Sequence, residues 1–533
     1  MKQQITTLMI LLVLCSMLLI VKTVEGQTDA LETIYILSDG SISPATPLIV
    51  RTGDLYSLSG NINATIIVQK GGIIFNGNGY TLYGNNTPYG AAAVSGFFIS
   101  GVNNVTIMNT RIINYSYGVL LQNTMYDNIT NNYFDYNSYA VRLYGNADFN
   151  TIANNTMTRG LYGIGADYSF NNNITVIYNN ITDLGSGVGI ILLNSAGNII
   201  KGNTMDHNNK GVNLYNCTNS VVSGNIMTYM DQAGIHLIES DLNTITGNKI
   251  NRTRYAAGIA VSTSSENSVS GNDLWYNEEG IRIEKYSTLN MVFGNNLVYN
   301  DYGVRLYNHA DNNTFYHNNF NSIDYQVFFL SDDNLYNNWN SSYPSGGNYW
   351  SSYTGADIYS GINQNETGND GIGDSVYNIG QDNTDYYPLM GSYSNFSINY
   401  QEETYYIATS CNSTISYFQF DEDAKSVSFN VTGDNGTEGF CRVIIPKAII
   451  ENLWQGNYTV LLNGEPWPFR NWTDATNTYI YLNYTHSEHQ ITIIPEFPSG
   501  IIMPLLMVLS IVAVVLAKKK RRKEKLAFQN PFF

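Results

Sequence analysis

The chain has 533 residues, of which only 13% are charged, and 43 acidic against 26 basic residues leave a formal net charge of −17. That balance excludes nucleic acid and anionic lipid as partners of the exposed surface.

In chain order, the first element is a transport signal. Lys2 precedes an apolar stretch over 8–21, and Val24-Glu-Gly26 offers a cleavage site, so residues 1–26 read as a signal peptide. Residues 27–345 then carry a short repeat. A small anchor returns about every 23 residues, at Gly96, Gly118, Ala140, Gly163, Gly189, Gly211, Gly234, Gly258, Gly280 and Gly303. An apolar–x–apolar triplet follows each one, as in Val119/Leu121, Val141/Leu143, Ile190/Leu192 and Val304/Leu306. Spacing of two puts both apolar residues on one strand face. The residue between them varies and is expected to face solvent.

A repeat this short cannot bury a core alone and leaves no room for a crossover helix. It predicts an all-β solenoid of parallel strands, one coil per repeat. A β-sandwich is the alternative; a propeller repeats at a longer period. A column of Asn supports the solenoid. Asn104, Asn150, Asn198, Asn243, Asn267, Asn290 and Asn313 each stand five residues before a second Asn (Asn109, Asn155, Asn203, Asn248, Asn272, Asn295, Asn318), and Asp127 takes the same place before Asn132. Coils around Asn173 and Asn219 depart from the spacing and read as bulges.

Outward positions two and four after the anchor give the binding candidates Arg142, Tyr144, Tyr215, Arg282, Arg305 and Tyr307. Tyr rings with a polar tip suit a half-wet surface that stacks on sugars, although Tyr is also a good strand residue. No residue is assigned as catalytic. A polygalacturonase-like set needs Asn-Thr-Asp, Asp-Asp, Gly-His-Gly and Arg-Ile-Lys in order. Here Arg282-Ile-Glu284 matches one element in part, Asp332-Asp333 follows in the wrong order, and Gly-His-Gly is absent.

Residues 346–393 read as a cap. With the entry phrases Tyr56-Ser-Leu-Ser-Gly-Asn-Ile-Asn63, Ile73-Ile-Phe-Asn-Gly-Asn-Gly-Tyr-Thr-Leu82 and Asn104-Val-Thr-Ile107, and the exit phrases Gly347-Asn-Tyr-Trp-Ser-Ser-Tyr-Thr-Gly-Ala-Asp357, Asp370-Gly-Ile-Gly-Asp374 and Asp385-Tyr-Tyr-Pro-Leu-Met390, the chain resembles NosD-type parallel β-helix proteins over about residues 50–390. The resemblance implies a right-handed helix and an extracytoplasmic location. The family's name implies copper delivery, but the His residues are scattered, and Met157, Met205 and Met227 read as core; copper is not expected. Asp357, Asp370 and Asp374 are candidates for Ca²⁺, with plain Asx-turn chemistry as the alternative.

Residues 394–494 alternate differently and predict a small antiparallel β-sandwich. Asn435-Gly436 and Asn463-Gly464 read as hairpin turns, and a helical turn is expected near Ile445-Pro-Lys-Ala-Ile449. Cys411 and Cys441 are candidates for a disulfide, and Cys217 is alone. Residues 495–500, Pro495-Glu-Phe-Pro-Ser-Gly500, resemble the PEF-type sorting signals of archaeal surface proteins. Residues 501–517 are uncharged and apolar enough for a transmembrane helix, and the basic tail 518–523 opens a cytoplasmic segment, 518–533. The helix is either a permanent anchor or removed by a sorting enzyme. Sequons such as Asn63, Asn104 and Asn483 fit an exported glycoprotein. The reading is a cell-surface protein that binds extracellular polysaccharide or envelope proteins without turning them over. The alternatives are a polysaccharide lyase or hydrolase and a copper accessory protein.

Overall fold

A computed structural model describes residues 31–85, 94–167, 171–330, 335–496 and 518. The signal peptide, most of the PEF-like linker and residues 501–517 lie outside them. Among the described residues no helix is long and apolar enough to cross a membrane. The chain divides into two compact units, Met1–Thr314 with Phe320–Asn337, and Phe315–Asn319 with Asn338–Phe533.

The first unit is the expected solenoid. Each coil lays down one wide strand and two narrow ones, as in Tyr117–Gln122, Asn128–Thr130 and Tyr133–Asp135. Each strand pairs in parallel with its counterpart in the next coil. Val119 faces Val141, then Ile164, Ile190, Val212, Ile235, Ile259, Ile281 and Val304 in unbroken register. The narrow strands each turn one residue inward, and Ile129, Ile152, Val176 and Ile200 on one side meet Phe134, Met157, Ile181 and Met205 on the other in a fully buried core. Each aliphatic side chain so buried is worth about 1.5–3 kcal/mol. Met157, Ile181, Met205 and Met227 form one such column.

The small anchor has a steric cause. A Cβ at Gly163 would stand 2.5 Å from the Gly189 carbonyl oxygen and 2.8 Å from the Ile181 side chain. Only Gly, or Ala where the corner opens, lets the coils close to the spacing of about 4.8 Å that parallel pairing requires.

Amides lock the corners. Asn155 Oδ1 accepts the Asn132 backbone N–H at 2.9 Å, while its Nδ2 donates to the Ile129 carbonyl at 2.7 Å and to Asn179 Oδ1 at 3.0 Å. The pattern continues through Asn179, Asn203, Asn225, Asn248, Asn272 and Asn295. A second ladder runs through Asn243, Asn267, Asn290, Asn313 and Asn337. Two sequence assignments are corrected. Asn104 and Asn109 are not ladder members: Asp127 and Asn132 bond to Val105 and Thr110, and Asn104 and Asn109 sit one residue earlier with φ of 60° and 52°. The coils at Asn173 and Asn219 are not bulged either. Ile174 and Ser220 fill the ladder position there, and the following strands keep register. A third ladder, of small residues three before the ladder position, runs through Ser195, Cys217, Ser240, Ser264 and Ser287. Cys217 is a buried free thiol within it.

In the second unit, residues 338–391 coil around Asp385. Its carboxylate accepts the Asn348 N–H at 2.8 Å, the Trp350 indole N–H at 2.9 Å and the Tyr387 N–H at 3.0 Å. Two five-stranded antiparallel sheets follow. The first runs Ser392–Tyr400, Glu403–Cys411, Glu438–Pro446, Asn477–Thr485 and Arg470–Thr473; the second includes Thr414–Asp421, Ser426–Thr432, Glu488–Pro495 and Tyr458–Leu462. Val427, Phe429, Val431, Val443, Ile445, Ile480, Leu482, Ile491 and Ile493 fill the space between. Cys411 and Cys441 face each other on neighbouring strands and are disulfide-bonded. Asn463-Gly464 makes the expected hairpin. Asn435-Gly436 does not: the strands beside it belong to different sheets, so the turn carries the chain across the sandwich. The helical turn is Lys447–Asn452.

The first sheet is covered on its other face as well. Arg442 and Tyr479 point away from the sandwich core, Arg442 donates to the Pro344 carbonyl, and Arg470 Nη1 donates to the Asn369 carbonyl at 2.8 Å. The first sheet therefore packs against residues 338–391 within this unit.

Candidate functional site

The six predicted binding residues all lie on the wide sheet of the solenoid. Pairing places Arg142, Gly165, Ile191, Asn213, His236, Ala260, Arg282 and Arg305 in one outward column. Tyr215, Ser262, Glu284 and Tyr307 belong to the next column, as does Tyr144. Six coil steps separate Arg142 from Arg282, about 29 Å at the usual strand spacing. The structure therefore brings Arg282, Arg305 and Tyr307 together and leaves Arg142 with Tyr144 apart; Tyr215 lies between the two groups.

The column is less wet than expected. Arg142, Asn213 and Ala260 are buried, and His236, Arg282 and Arg305 are half-buried. Neighbours from coils above and below, and from the flanking columns, close over each side chain. Arg142 is held in a bidentate pair by Asp167, Nε to Oδ1 at 2.9 Å and Nη2 to Oδ2 at 3.1 Å, and it also reaches the Tyr117 hydroxyl. The rings of Tyr117, Tyr139 and Tyr144 surround its guanidinium. This arginine is committed to the fold, and only Tyr144 beside it is exposed.

The richer group lies further along. Glu279, 1% exposed, sits between Arg282, whose Nε lies 2.5 Å from Oε2, and Arg305, which donates to Oε1. The Arg305 guanidinium rests against Tyr302, Tyr307 and Phe328. On the preceding coils Lys210 Nζ meets His236 Nδ1 at 3.0 Å, His236 Nε2 meets Ser262 Oγ at 3.4 Å, and Ser262 Oγ donates to Glu284. The ammonium occupies Nδ1, so the imidazole proton belongs on Nε2. Burial, then the charges of Lys210, Arg282 and Lys285, push the imidazole down to about 3. Burial also lowers the Lys210 ammonium. Beside them, burial raises the Glu278 and Asp301 carboxyls, with further help from Glu279 and Asp324 respectively. The cluster offers guanidinium and hydroxyl donors, carboxylate acceptors and perturbed titrating groups on one open sheet.

Lys210 and Glu279 are not legible as site residues from the repeat, whereas Ser262 stands four after its anchor Gly258, at an outward position. Lys210 and Glu279 occupy the position just before the anchor, which the outward Tyr117, Tyr139 and Tyr302 share. Their spacing of three to the next outward residue breaks the period of two at the glycine. Extending each strand one residue before the anchor would have found them.

Several exposed aromatic residues of the solenoid use their faces on each other. Tyr126 stacks on Phe149 at 5.3 Å, His207 on Tyr229 at 4.8 Å, Tyr276 on Tyr299 at 5.3 Å and Tyr286 on His309 at 4.7 Å. In these pairs one face of each ring is covered by its neighbour, as it is for Tyr302 and Tyr325 on the wide sheet.

The acidic candidates bond to main chain. Asp357 accepts the N–H groups of Asp370 and Gly371 at 3.0 and 2.9 Å; Asp370 accepts Ile372 at 2.9 Å; Asp374 accepts Ile358 and Tyr359 at 2.9 and 3.0 Å. Among the described residues no three His, Cys, Asp or Glu side chains come together as a metal site. His486 lies in the bend between two strands and bonds to Ser413 and Thr437, while His489 stands in the strand after it and bonds to Ser487 and the Thr485 carbonyl.

Comparison with known proteins adds three findings. The family described as periplasmic copper-binding protein (NosD) matches residues 57–204 and 176–355. No curated protein matches the chain. Among solved structures, DFA-IIIase from Arthrobacter chlorophenolicus A6 is similar at 15% identity over 53% of this chain and 85% of that chain, with a TM-score of 0.41. A mutant of the periplasmic alginate epimerase AlgG is similar at 15% identity over 56% of this chain and 84% of that chain, with a TM-score of 0.34. Among the described residues the donors do not fit copper, and His309 stacks on Tyr286. Met157, Met205 and Met227 are core, Cys217 is buried among Ser hydroxyls, and each of His207, His236, His317, His486 and His489 bonds to a different neighbourhood.

Proposed function

The chain belongs to the NosD family, and from that premise we propose an exported protein that binds polysaccharide along the wide sheet of its solenoid without cleaving it. One observation carries the reading. The outward columns of the wide sheet gather Lys210, His236, Glu279, Arg282, Glu284, Arg305 and Tyr307, whereas one narrow sheet shows solvent mainly Thr, Ser and Ile, as in Thr244–Thr246 and Ser268–Ser270. Guanidinium forks and aromatic rings suit sugar hydroxyls, ring oxygens and carboxylates. The family's periplasmic description supports export, and the apolar stretch 501–517 with its basic tail supports anchorage at the outer face of a membrane.

The Lys210–His236–Ser262–Glu284 chain of contacts favours a second reading, acid–base cleavage of the same polymer. The two separate in one experiment. The full chain is incubated with neutral and uronate-containing polysaccharides, and binding is followed by retardation in affinity gels while released reducing or unsaturated ends are measured. Retardation without new ends is expected; new ends that disappear in His236→Ala would replace binding by turnover.

A further inference from the structure

The second unit carries a cleft that the solenoid reading does not use. Its volume is about 520 Å³, and Asp357, Asn369, Glu438, Phe440, Trp467, Tyr481 and Asn483 are among its lining residues. It forms where the loop after Asp357 covers only part of the first sheet. On the strands Glu438–Pro446 and Asn477–Thr485, Arg442 pairs with Tyr481 under the loop, while Phe440 with Asn483 and Glu438 with Thr485 continue beyond it.

Three properties of the wall define what fits. Phe440 and Tyr481 are stacked with centroids 5.8 Å apart, and the Trp467 indole is fixed by its N–H to the Asn483 carbonyl at 2.8 Å, so the aromatic surface is rigid. The Glu438 carboxylate, the Asn483 amide and the Thr485 hydroxyl receive or donate no side-chain hydrogen bond among the described residues, so acceptors and donors stand unused beside that surface. The lining contains two carboxylates and no Lys, Arg or His. Rings beside amides and carboxylates complement a polyhydroxylated ring. The exposed Glu438 carboxylate, with no Lys, Arg or His in the lining, repels phosphate, sulfate and uronate groups.

We propose that this cleft binds a saccharide without acidic groups, with Glu438 and Asn483 bonding its polar substituents and Trp467, beside the buried Phe440–Tyr481 stack, packing on its ring. The site is separate from the wide sheet and stands whether or not that sheet binds polymer.

The test uses the full chain made in a host that adds no N-glycans, because Asn483 lies in a sequon. Trisaccharides of glucose, of glucosamine and of galacturonic acid are titrated while Trp emission and ligand saturation-transfer signals are followed. Saturable binding of a non-acidic trisaccharide, and none of the galacturonate, is expected. A preference for glucosamine identifies an ammonium at Glu438; equal binding of the first two identifies hydroxyl recognition there. Glu438→Gln with Asn483→Ala, both at exposed positions, should weaken binding about tenfold. Arg305→Ala with Tyr307→Ala should leave it unchanged. Absence of saturable binding, equal binding of the galacturonate, or wild-type affinity in the Glu438/Asn483 variant overturns the assignment.

Discussion

At the scale of single residues, the ladder amides and one acid decide most. Asn248 accepts the Asn225 N–H at 3.0 Å and donates to the Val222 carbonyl at 2.9 Å, all of it buried. Asn248→Ala strands both main-chain groups, at about 1–3 kcal/mol each; denaturant titration should show a loss of roughly 2–4 kcal/mol. Asn104→Gly, at an exposed left-handed position outside the ladder, should change stability by no more than about 0.5 kcal/mol. Sequence spacing showed that the Asn residues form columns. It could not separate the ladder Asn from the left-handed Asn one residue earlier, because both conformations favour the same side chain. Asp127 stands in the ladder without an amide, and burial raises its carboxyl from 3.8 to about 6. The folded chain thus holds a proton that the unfolded chain has released. The stabilisation is complete below about pH 4 and is lost as pH rises through about 6, on the order of 2–3 kcal/mol. Asp127→Asn should flatten that slope in unfolding curves taken from pH 4 to 7; an unchanged slope would assign the titration elsewhere.

At the scale of elements, the repeat was readable because a coil has few solutions. Val119/Leu121 and its counterparts had to share an interior, and the anchor glycines had to sit where backbones nearly touch. Gly163→Ala, with its Cβ 2.5 Å from a carbonyl oxygen, should lower stability by about 1–3 kcal/mol, measured as a drop in Tm. What escaped was the strand's departure from alternation at the anchor, which turns Lys210 and Glu279 outward. The second unit was legible as antiparallel pairs, yet Asn435-Gly436 misled because a turn residue fixes backbone angles and not which sheet the next strand joins. The bond between Cys411 and Cys441, 30 residues apart, should contribute about 3–4 kcal/mol by restricting the unfolded chain. Replacing both by Ser should destabilise the second unit by that amount under oxidising conditions and abolish its response to reductant.

At the scale of the whole molecule, stacking constrains interiors and leaves exteriors free, so the exterior is where function is written. Repetition made the wide sheet predictable as a surface. The grouping of its charges was not, because Arg142 and Arg282 look alike in sequence and differ only in their partners: Asp167 occupies one, and a shared Glu279 holds the other beside Arg305. In the proposed function, recognition of uronate-containing polysaccharide belongs to this sheet. The most direct measurement is affinity of the full chain for a retained uronate-containing polysaccharide, which the second unit's cleft should not bind, after two sets of changes. Tyr215→Ala, Arg305→Ala and Tyr307→Ala on the wide sheet should reduce it about tenfold or more, and Thr244→Ala with Thr246→Ala on the narrow sheet should leave it intact. Equal losses from both sets, or none from the first, would contradict the account.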